Sequence, residues 1–97
     1  MKQSIVYIVA NKINGTLYVG VTSNLVKRIY EHREAVIEGF TKKYSCKILV
    51  FYESHETMMS AISREKIIKG GSRKKKLALI EAMNPDWRDL YDEIILG

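Results

Sequence analysis

Residues 5–21 read IVYIVANKINGTLYVGV, and this stretch decides the fold. Two runs rich in β-branched and aromatic residues flank Asn14-Gly15, a dipeptide that favours a hairpin turn because both residues tolerate positive φ. The pattern predicts two antiparallel strands, over about 4–10 and about 16–21.

The pairing register of this hairpin decides whether its two tyrosines share a face. With a two-residue turn, paired residue numbers sum to 29, so that Asn11 faces Tyr18 and Val9 faces Gly20. Opposed residues point to the same side of a sheet, and side chains alternate along each strand. We therefore expect Tyr7 and Tyr18 on one face, with Gly20 leaving room beside them for close approach of a ligand backbone or a side chain. An even sum would place the tyrosines on opposite faces.

Hydrophobic periodicity predicts one further strand and four helices after the hairpin. These are a helix over about 24–38, a strand over about 46–53, and helices over about 58–69, over about 73–83 and from residue 86 onward. Ser23 or Asn24, Thr57 and Ser72 are the expected caps of the first three helices, and Asp86 that of the last. The order ββαβααα indicates an α+β fold, with helices covering a small three-stranded antiparallel sheet.

The length of 97 residues predicts a single domain 1–97, with a core over 4–83 and an acidic helical segment over 84–97. The longest apolar runs are too short to span a bilayer, and no signal peptide opens the chain. Cys46 has no partner for a disulfide, because it is the only cysteine. That usage fits a reducing, cytoplasmic location.

The charge distribution is asymmetric along the chain. Residues 1–80 hold 15 Lys and Arg against 6 Asp and Glu, or +9, whereas residues 81–97 hold 1 against 5, or −4. A basic body indicates a polyanionic partner, although an ordinary solvated surface gives the same composition. Lysines at a helix N-terminus oppose its dipole, so the cluster at 73–76 favours a bound polyanion. The candidate nucleic-acid contacts are Lys42, Lys43, Arg73, Lys74, Lys75 and Lys76.

Three charged or titratable residues of the predicted helices suit phosphodiester chemistry. Arg28 and His32 are four apart on one helix face, where the first can hold a phosphate and the second can take a proton. A solvated face with Arg28 paired to Glu31 or Glu34 is the alternative. Glu65 falls inside the apolar stripe of its helix, so it needs a compensating cation. Arg28 and a divalent metal are the candidates, and a structural ion pair is the alternative.

Together these residues resemble the GIY-YIG nuclease superfamily, and most closely its small stand-alone bacterial members. Residues 5–7 correspond to the first motif and residues 18–20 to the second. Arg28, His32 and Glu65 match the arginine, histidine and metal-binding glutamate of the family. The resemblance covers nearly the whole chain.

One position departs from the family pattern, and the match of a second position to that pattern is uncertain from the sequence. Ile5 stands where the first motif has glycine, a replacement that small stand-alone members often tolerate. Asn84 is the one candidate for the late asparagine of the family, and it can instead be a helix stop before Pro85.

The resemblance implies metal-dependent hydrolysis of a phosphodiester. Glu65 would hold one Mg²⁺ or Mn²⁺, and Arg28 would stabilise charge on the phosphate. Tyr7 would act as, or assist, the general base, with positive charge from Arg28 and the metal lowering its pKa and His32 taking its proton. Tyr18 would orient the water or the phosphate. We expect DNA as the substrate with little sequence preference, RNA remaining open, and a monomer or weak homodimer with any protein partner unknown.

Two other functions remain open from the sequence. The first is a catalytically weak nucleic-acid-binding module of the same fold that acts with a partner. The second is a protein-interaction adaptor that uses an apolar face of the last helix, formed by Trp87, Leu90, Tyr91 and Ile94. Packing of that face on the sheet of the protein itself is the simpler interpretation.

Overall fold

The computed structural model describes residues 2–34 and 43–96. The expected continuation of the first helix to residue 38 lies outside these residues, as does Lys42. The elements within them follow the predicted order. They are β1 (Ile5–Ala10), β2 (Leu17–Thr22), α1 (Leu25–Arg33), β3 (Ile48–Ser54), α2 (Met58–Gly70), α3 (Arg73–Met83) and α4 (Tyr91–Leu96).

The three strands form one antiparallel sheet in the order β2-β1-β3. All six residues of β1 are buried because helices or loops cover both of its faces. β3, whose apolar run predicts a well-covered position, is an edge strand. Its outer edge is covered by the chain after α3, where Leu49 N donates to Asp89 Oδ1 at 3.2 Å and Leu90 N donates to Leu49 O at 2.8 Å.

The hairpin register differs from the prediction by two residues. Tyr7 pairs with Gly20 and Val9 with Tyr18, so that paired numbers sum to 27 rather than 29. The sum stays odd, and the expectation that the two tyrosines share a face is confirmed by a distance of 6.5 Å between their ring centroids.

The shift in register arises in the turn. Gly15 N donates to Lys12 O at 3.0 Å, which centres the turn on residues 13 and 14, and Asn14 takes the positive φ of 56°. The guanidinium of Arg73 on α3 donates to Asn14 O and to Gly15 O, both at 2.7 Å. A longer loop, held from a distant helix, therefore replaces the expected two-residue turn.

Alternate residues of β1 supply two separate cores. On the apolar face, Val6, Ile8 and Ala10 pack with Ala61 and Ile68 of α2 and Ile80 of α3. On the tyrosine face, Ile5, Tyr7 and Val9 pack with Leu25 and Ile29 of α1 and with Leu90. The buried free thiol of Cys46 also belongs to the tyrosine face.

The helix caps are confirmed for the first three helices. The side chains of Asn24, Thr57 and Ser72 each accept a hydrogen bond from the backbone N–H three residues later. These local bonds satisfy donors that a helix start leaves unpaired, which is why they could be read from the sequence.

The predicted start of the last helix at Asp86 is wrong. Trp87 has a positive φ of 55°, which a right-handed helix cannot accommodate, and α4 begins at Tyr91. The expected single apolar face is also divided. Trp87 packs on the apolar face, whereas Leu90, Tyr91 and Ile94 pack on the tyrosine face. Packing of the segment on its own sheet is thus confirmed.

No helix in the described part of the chain combines the length and hydropathy that crossing a bilayer requires.

Candidate active site

Tyr7 lies in the middle of the central strand, and its ring crosses Gly20 of the neighbouring strand. Its relative exposure is 2%. A Cβ atom at Gly20 would come within 2.5 Å of Tyr7 Oη and 2.6 Å of its Cζ, far inside van der Waals contact. The space beside Gly20 is therefore taken by a side chain, the phenol of Tyr7 itself, which is one of the two alternatives expected from the sequence.

Three rings meet at this point. Tyr7 Oη lies 2.9 Å from His32 Nε2, and the centroid of the imidazole is 5.5 Å from that of Tyr7 and 5.7 Å from that of Tyr18. His32 is 3% exposed, because α1 directs it inward against the sheet. β1, β2 and α1 thus join the two phenols and the imidazole in one cluster.

Burial sets the protonation of this cluster. Burial, aided by the positive charge of Arg28, lowers the pKa of His32 to about 4, so the imidazole is neutral at pH 7. Burial also raises the pKa of the Tyr7 phenol well above its ordinary value. Tyr18, Glu65 and Glu31 act in the same direction on Tyr7, and Arg28 acts against them. Arg28 thus lowers the pKa of Tyr7, as expected from the sequence, but the effect of burial is larger and the net shift is upward.

The hydrogen bond between Tyr7 and His32 leaves one nitrogen of the imidazole unaccounted for. In one tautomer Nε2 accepts the phenol proton, and in the other it donates to the phenol oxygen. His32 Nδ1 is buried and has no hydrogen-bond partner among the described residues. A buried polar atom without a partner costs stability, and a catalytic role is one explanation for its retention.

Arg28 lies on the solvent side of the cluster. Its side chain is 41% exposed and its Nε is 3.8 Å from Glu31 Oε1, so the ion pair considered from the sequence is present. A long, exposed pair of this kind contributes at most about 1 kcal/mol. The guanidinium opens onto a polar pocket of about 280 Å³, which Thr22, Ser23, Asn24, Lys27 and Glu31 also line.

Glu65 comes from α2, and its carboxylate side chain is 15% exposed. Its compensating cation is Lys69, one turn later, whose Nζ is 3.2 Å from Glu65 Oε2. The same ammonium lies 5.6 Å from the ring centroid of Tyr18. The structural ion pair is therefore formed, but with a partner other than Arg28. Ile62, placed in the same apolar stripe by periodicity, is exposed.

The donor set fits one hard divalent cation held by a single carboxylate. No group of three His, Cys, Asp or Glu side chains that could hold a metal occurs within residues 2–34 and 43–96. Mg²⁺ commonly takes only one or two carboxylates and completes its octahedron with water and substrate phosphate. Glu65 can serve as that carboxylate, because its charge acts on Tyr7 and it retains access to solvent.

Asn84 is engaged elsewhere. Its Nδ2 donates to Arg88 O at 2.8 Å and to Val50 O at 3.3 Å, and its Oδ1 accepts from Arg88 N at 3.0 Å. Asn84 is buried and forms the C-cap of α3. The structure therefore places it as the helix stop considered from the sequence, with its amide used by the backbone.

The basic cluster at the start of α3 divides into two pairs. Arg73 holds the hairpin turn, and Lys76 Nζ donates to Gly71 O at 2.9 Å. Lys74 and Lys75 are exposed and remain candidate contacts for a polyanion. Lys43 lies 5.3 Å from the ring centroid of Tyr44, while Lys42 is outside the described residues.

Sequence analysis missed Lys69. A glutamate followed four residues later by a lysine is the ion-pair spacing of an exposed helix, and that signal was available. The contact with Tyr18 was not, because it depends on how α2 packs against β2.

The comparison with known families is decisive. Residues 3–78 match the GIY-YIG catalytic domain. The chain belongs to the GIY-YIG family. The resemblance predicted from the tyrosine motifs is thereby confirmed, and it places the chain in a family of nucleases.

Relatives of similar size reinforce this assignment to the GIY-YIG family. The chain is 39% identical over 80 residues to the UPF0213 protein SSP2268 of Staphylococcus saprophyticus, covering 82% of this chain and 96% of that protein. It is 33% identical over 79 residues to the UPF0213 protein DP2720 of Desulfotalea psychrophila, covering 80% and 72%. The solution NMR structure of the UPF0213 protein BH0048 from Bacillus halodurans has a TM-score of 0.57 and 25% identity, covering 90% and 92%.

Proposed function

We propose that this GIY-YIG protein is a metal-dependent endonuclease that hydrolyses phosphodiester bonds in DNA with little sequence preference. One observation carries the proposal. Two phenols, an imidazole, a guanidinium and a carboxylate from four different elements lie close together: Tyr7 and His32 are in direct contact, and the other three groups act on the pKa of Tyr7. These are the side chains of Tyr7, Tyr18, His32, Arg28 and Glu65.

Arg28 and Glu65 act on the charge of the phosphate. The Arg28 guanidinium, open to its polar pocket, donates to a non-bridging phosphate oxygen and stabilises the charge that grows there during attack. Glu65 would hold one Mg²⁺ or Mn²⁺, which when bound neutralises charge on the phosphate and on the leaving oxygen.

Tyr7 and His32 handle the proton. Because the phenol stays protonated, Tyr7 accepts a hydrogen bond from the attacking water while it donates its own proton to His32 Nε2. As the water attacks, its proton passes to Tyr7 Oη and the phenol proton passes to His32. The anionic phosphate raises the low proton affinity of His32, because a nearby negative charge favours the imidazolium. Tyr18, beside both rings, positions the water.

Weak sequence preference follows from the small size of the protein. Exposed lysines such as Lys74 and Lys75 would contact the phosphate backbone, which fixes position without reading sequence. Base recognition needs an element that enters a groove, and the described helices are occupied in covering the sheet.

The test is nicking of supercoiled plasmid DNA with Mg²⁺ or Mn²⁺. The compared proteins are the wild type, Glu65→Gln, and Glu56→Gln as a matched control at an exposed carboxylate outside the cluster. The wild type and E56Q should nick at equal rates, and E65Q should not exceed the buffer blank. Equal nicking by all three would assign the activity to another protein in the preparation.

A second candidate function is a catalytically weak nucleic-acid-binding module of the same fold. The exposed Lys74 and Lys75 favour it, because contact with a phosphate backbone needs no catalytic group. A wild type that binds DNA in an electrophoretic shift assay, yet nicks nothing with either metal, would establish this candidate over the first.

A further inference from the structure

Lys69 lies at the junction between the candidate site and a second cleft. On one side its ammonium contacts Glu65 at 3.2 Å, and on the other it faces the ring of Tyr18 at 5.6 Å. The same lysine lines a cleft of about 290 Å³ that runs along the edge strand β2. The other lining residues are Leu17, Tyr18, Val19 and Lys76.

The cleft combines an apolar wall with two cations. β2 supplies the wall, and the helical side supplies the ammonium groups of Lys69 and Lys76. Lys76 uses donors on Gly71 O at 2.9 Å and Lys69 O at 3.4 Å, and an ammonium has three donors in all. Lys69 is 48% exposed and sits near the end of α2, so its flexible stem can turn without repacking the core. Such a cleft suits one phosphate of a polyanionic strand.

A cation at Glu65 changes the electrostatics of Lys69. The carboxylate has one negative charge, and Lys69 neutralises it in the metal-free protein. A divalent ion bound to the same carboxylate would repel the ammonium, because like charges a few ångströms apart are unfavourable in a partly buried site. The ammonium of Lys69 lies 5.6 Å from the ring centroid of Tyr18, and both residues line the cleft, so the ammonium has only a short distance to travel from one anion to the other.

We propose that the cleft of Lys69 and Lys76 binds the phosphate next to the scissile one, and that Lys69 exchanges between two anions. It pairs with Glu65 when no metal is bound and with the substrate phosphate when Glu65 holds a divalent ion. This rests on the proposed function for the identity of the ligand, a nucleic-acid strand.

The exchange predicts effects of opposite sign from one substitution. Lys69→Met keeps most of the aliphatic stem and removes the charge, so Mn²⁺ should bind Glu65 about tenfold more tightly, since loss of a cation 4–6 Å away is worth about one pK unit or more. The same variant should bind single-stranded oligodeoxythymidine more weakly. Its salt dependence should flatten by about 0.7 in the slope of log K against log salt, the value for one phosphate contact on a single strand.

Three matched variants separate this exchange from general charge effects. Lys66→Met removes an exposed charge from the same helix and should leave the Mn²⁺ affinity unchanged. Lys76→Met should weaken oligonucleotide binding only, because Lys76 does not contact Glu65. Lys69→Arg should restore both properties towards wild type. Lys69→Gln removes the same charge, and it replaces K69M in these experiments if the melting temperature of K69M is lower than that of the wild type.

Both properties are measured without cleavage. Mn²⁺ affinity comes from water-proton relaxation of the full chain, and oligonucleotide affinity from fluorescence anisotropy of labelled oligodeoxythymidine in Ca²⁺ at several salt concentrations. Tighter Mn²⁺ binding with weaker oligonucleotide binding in K69M supports the exchange. Unchanged or weaker Mn²⁺ binding in K69M overturns it, as does an absence of Mn²⁺ binding in every variant. If the wild type nicks DNA but K69M has the same Mn²⁺ and oligonucleotide affinities as the wild type, the role of the cleft is disproved and the proposed nuclease activity stands. If K69M shows the opposite changes in the two affinities but no variant nicks DNA, the cleft binds a nucleic-acid strand and the nuclease activity is disproved.

Discussion

Residues of β1 are buried on both faces of the sheet, but burial has a different consequence on each face. On the apolar face, Val6 and Ile8 are fully buried and contribute packing alone. On the tyrosine face, Tyr7 is buried as deeply, but there burial raises a phenol pKa and, in His32, lowers an imidazole pKa. Equal exclusion of water therefore stabilises one face and sets the chemistry of the other.

This difference shows how a small domain builds a site without a dedicated cavity. Two of the site residues, Tyr7 and Tyr18, lie on the paired strands β1 and β2, so their positions are fixed by the same hydrogen-bonded ladder that holds the core. It also retains features that packing alone would not select, such as a glycine under a phenol and an imidazole nitrogen with no partner among the described residues.

Tyr7→Phe should separate the two faces most sharply. Removing the hydroxyl eliminates the proton path to His32, and plasmid nicking should fall by about 10²–10⁴-fold, the usual share of general acid–base catalysis. The free energy of unfolding from urea denaturation should fall by about 1–3 kcal/mol, because the buried His32 Nε2 loses the phenol as its hydrogen-bond partner. Nicking within threefold of wild type would show that the phenol oxygen takes no part in the reaction.

Ile8→Ala is the counterpart on the apolar face. It should lower the free energy of unfolding by about 2–5 kcal/mol, since a buried methylene-rich side chain is replaced by a void. Nicking per folded molecule, measured well below the melting temperature, should match the wild type. A specific loss of nicking in folded I8A would mean that the two faces are coupled.

The protonation of His32 predicts an acid-sensitive stability. Its pKa is about 4 when folded and about 6.5 when unfolded, so the unfolded chain takes up the proton first as pH falls. The contribution of neutral His32 is complete above pH 6.5 and is lost towards pH 4, by roughly 3 kcal/mol in total. Urea denaturation at several pH values should show this decline in the wild type and a flatter curve in His32→Gln. Parallel curves would contradict the burial of a neutral imidazole.

Gly20→Ala tests the close approach of the two strands. The added Cβ must displace Tyr7 Oη, and such overpacking should cost about 1–3 kcal/mol of stability and also reduce nicking. Gly70→Ala is the control, because a Cβ there meets nothing within 4 Å and should leave stability unchanged or raise it by up to about 1 kcal/mol. Equal stability of both variants would show that the ring of Tyr7 can move at little expense.

Local signals explain what could be predicted from the sequence. Thr57 and Ser72 cap their helices through hydrogen bonds to the backbone three residues later. The shared face of the two tyrosines requires only that paired residue numbers sum to an odd number. The turn that accompanies the exact register is contacted by Arg73, whose guanidinium bonds to carbonyls 58 and 59 residues away, and this long-range contact has no local signal in the sequence.

Tertiary packing explains what the sequence left open. Trp87 crosses to the other face because its backbone turns with a positive φ, which periodicity does not show. The contact of Lys69 with the ring of Tyr18 depends on how α2 packs against β2, whereas its pairing with Glu65 is a local contact between successive turns of one helix. The direction of the pKa shifts in Tyr7 and His32 depends on burial by α1, and no spacing in the sequence reports burial of that depth.

The most direct measurement is the position of one bound Mn²⁺ ion, located by paramagnetic broadening in NMR spectra of the full chain. Substoichiometric Mn²⁺ should broaden the ring protons of Tyr7 and Tyr18 together with the amide of Glu65, and Glu65→Gln should abolish that broadening. Broadening that persists in E65Q, or that centres on Glu53 beside His55 and Arg64, would contradict a metal held by Glu65 beside the two tyrosines.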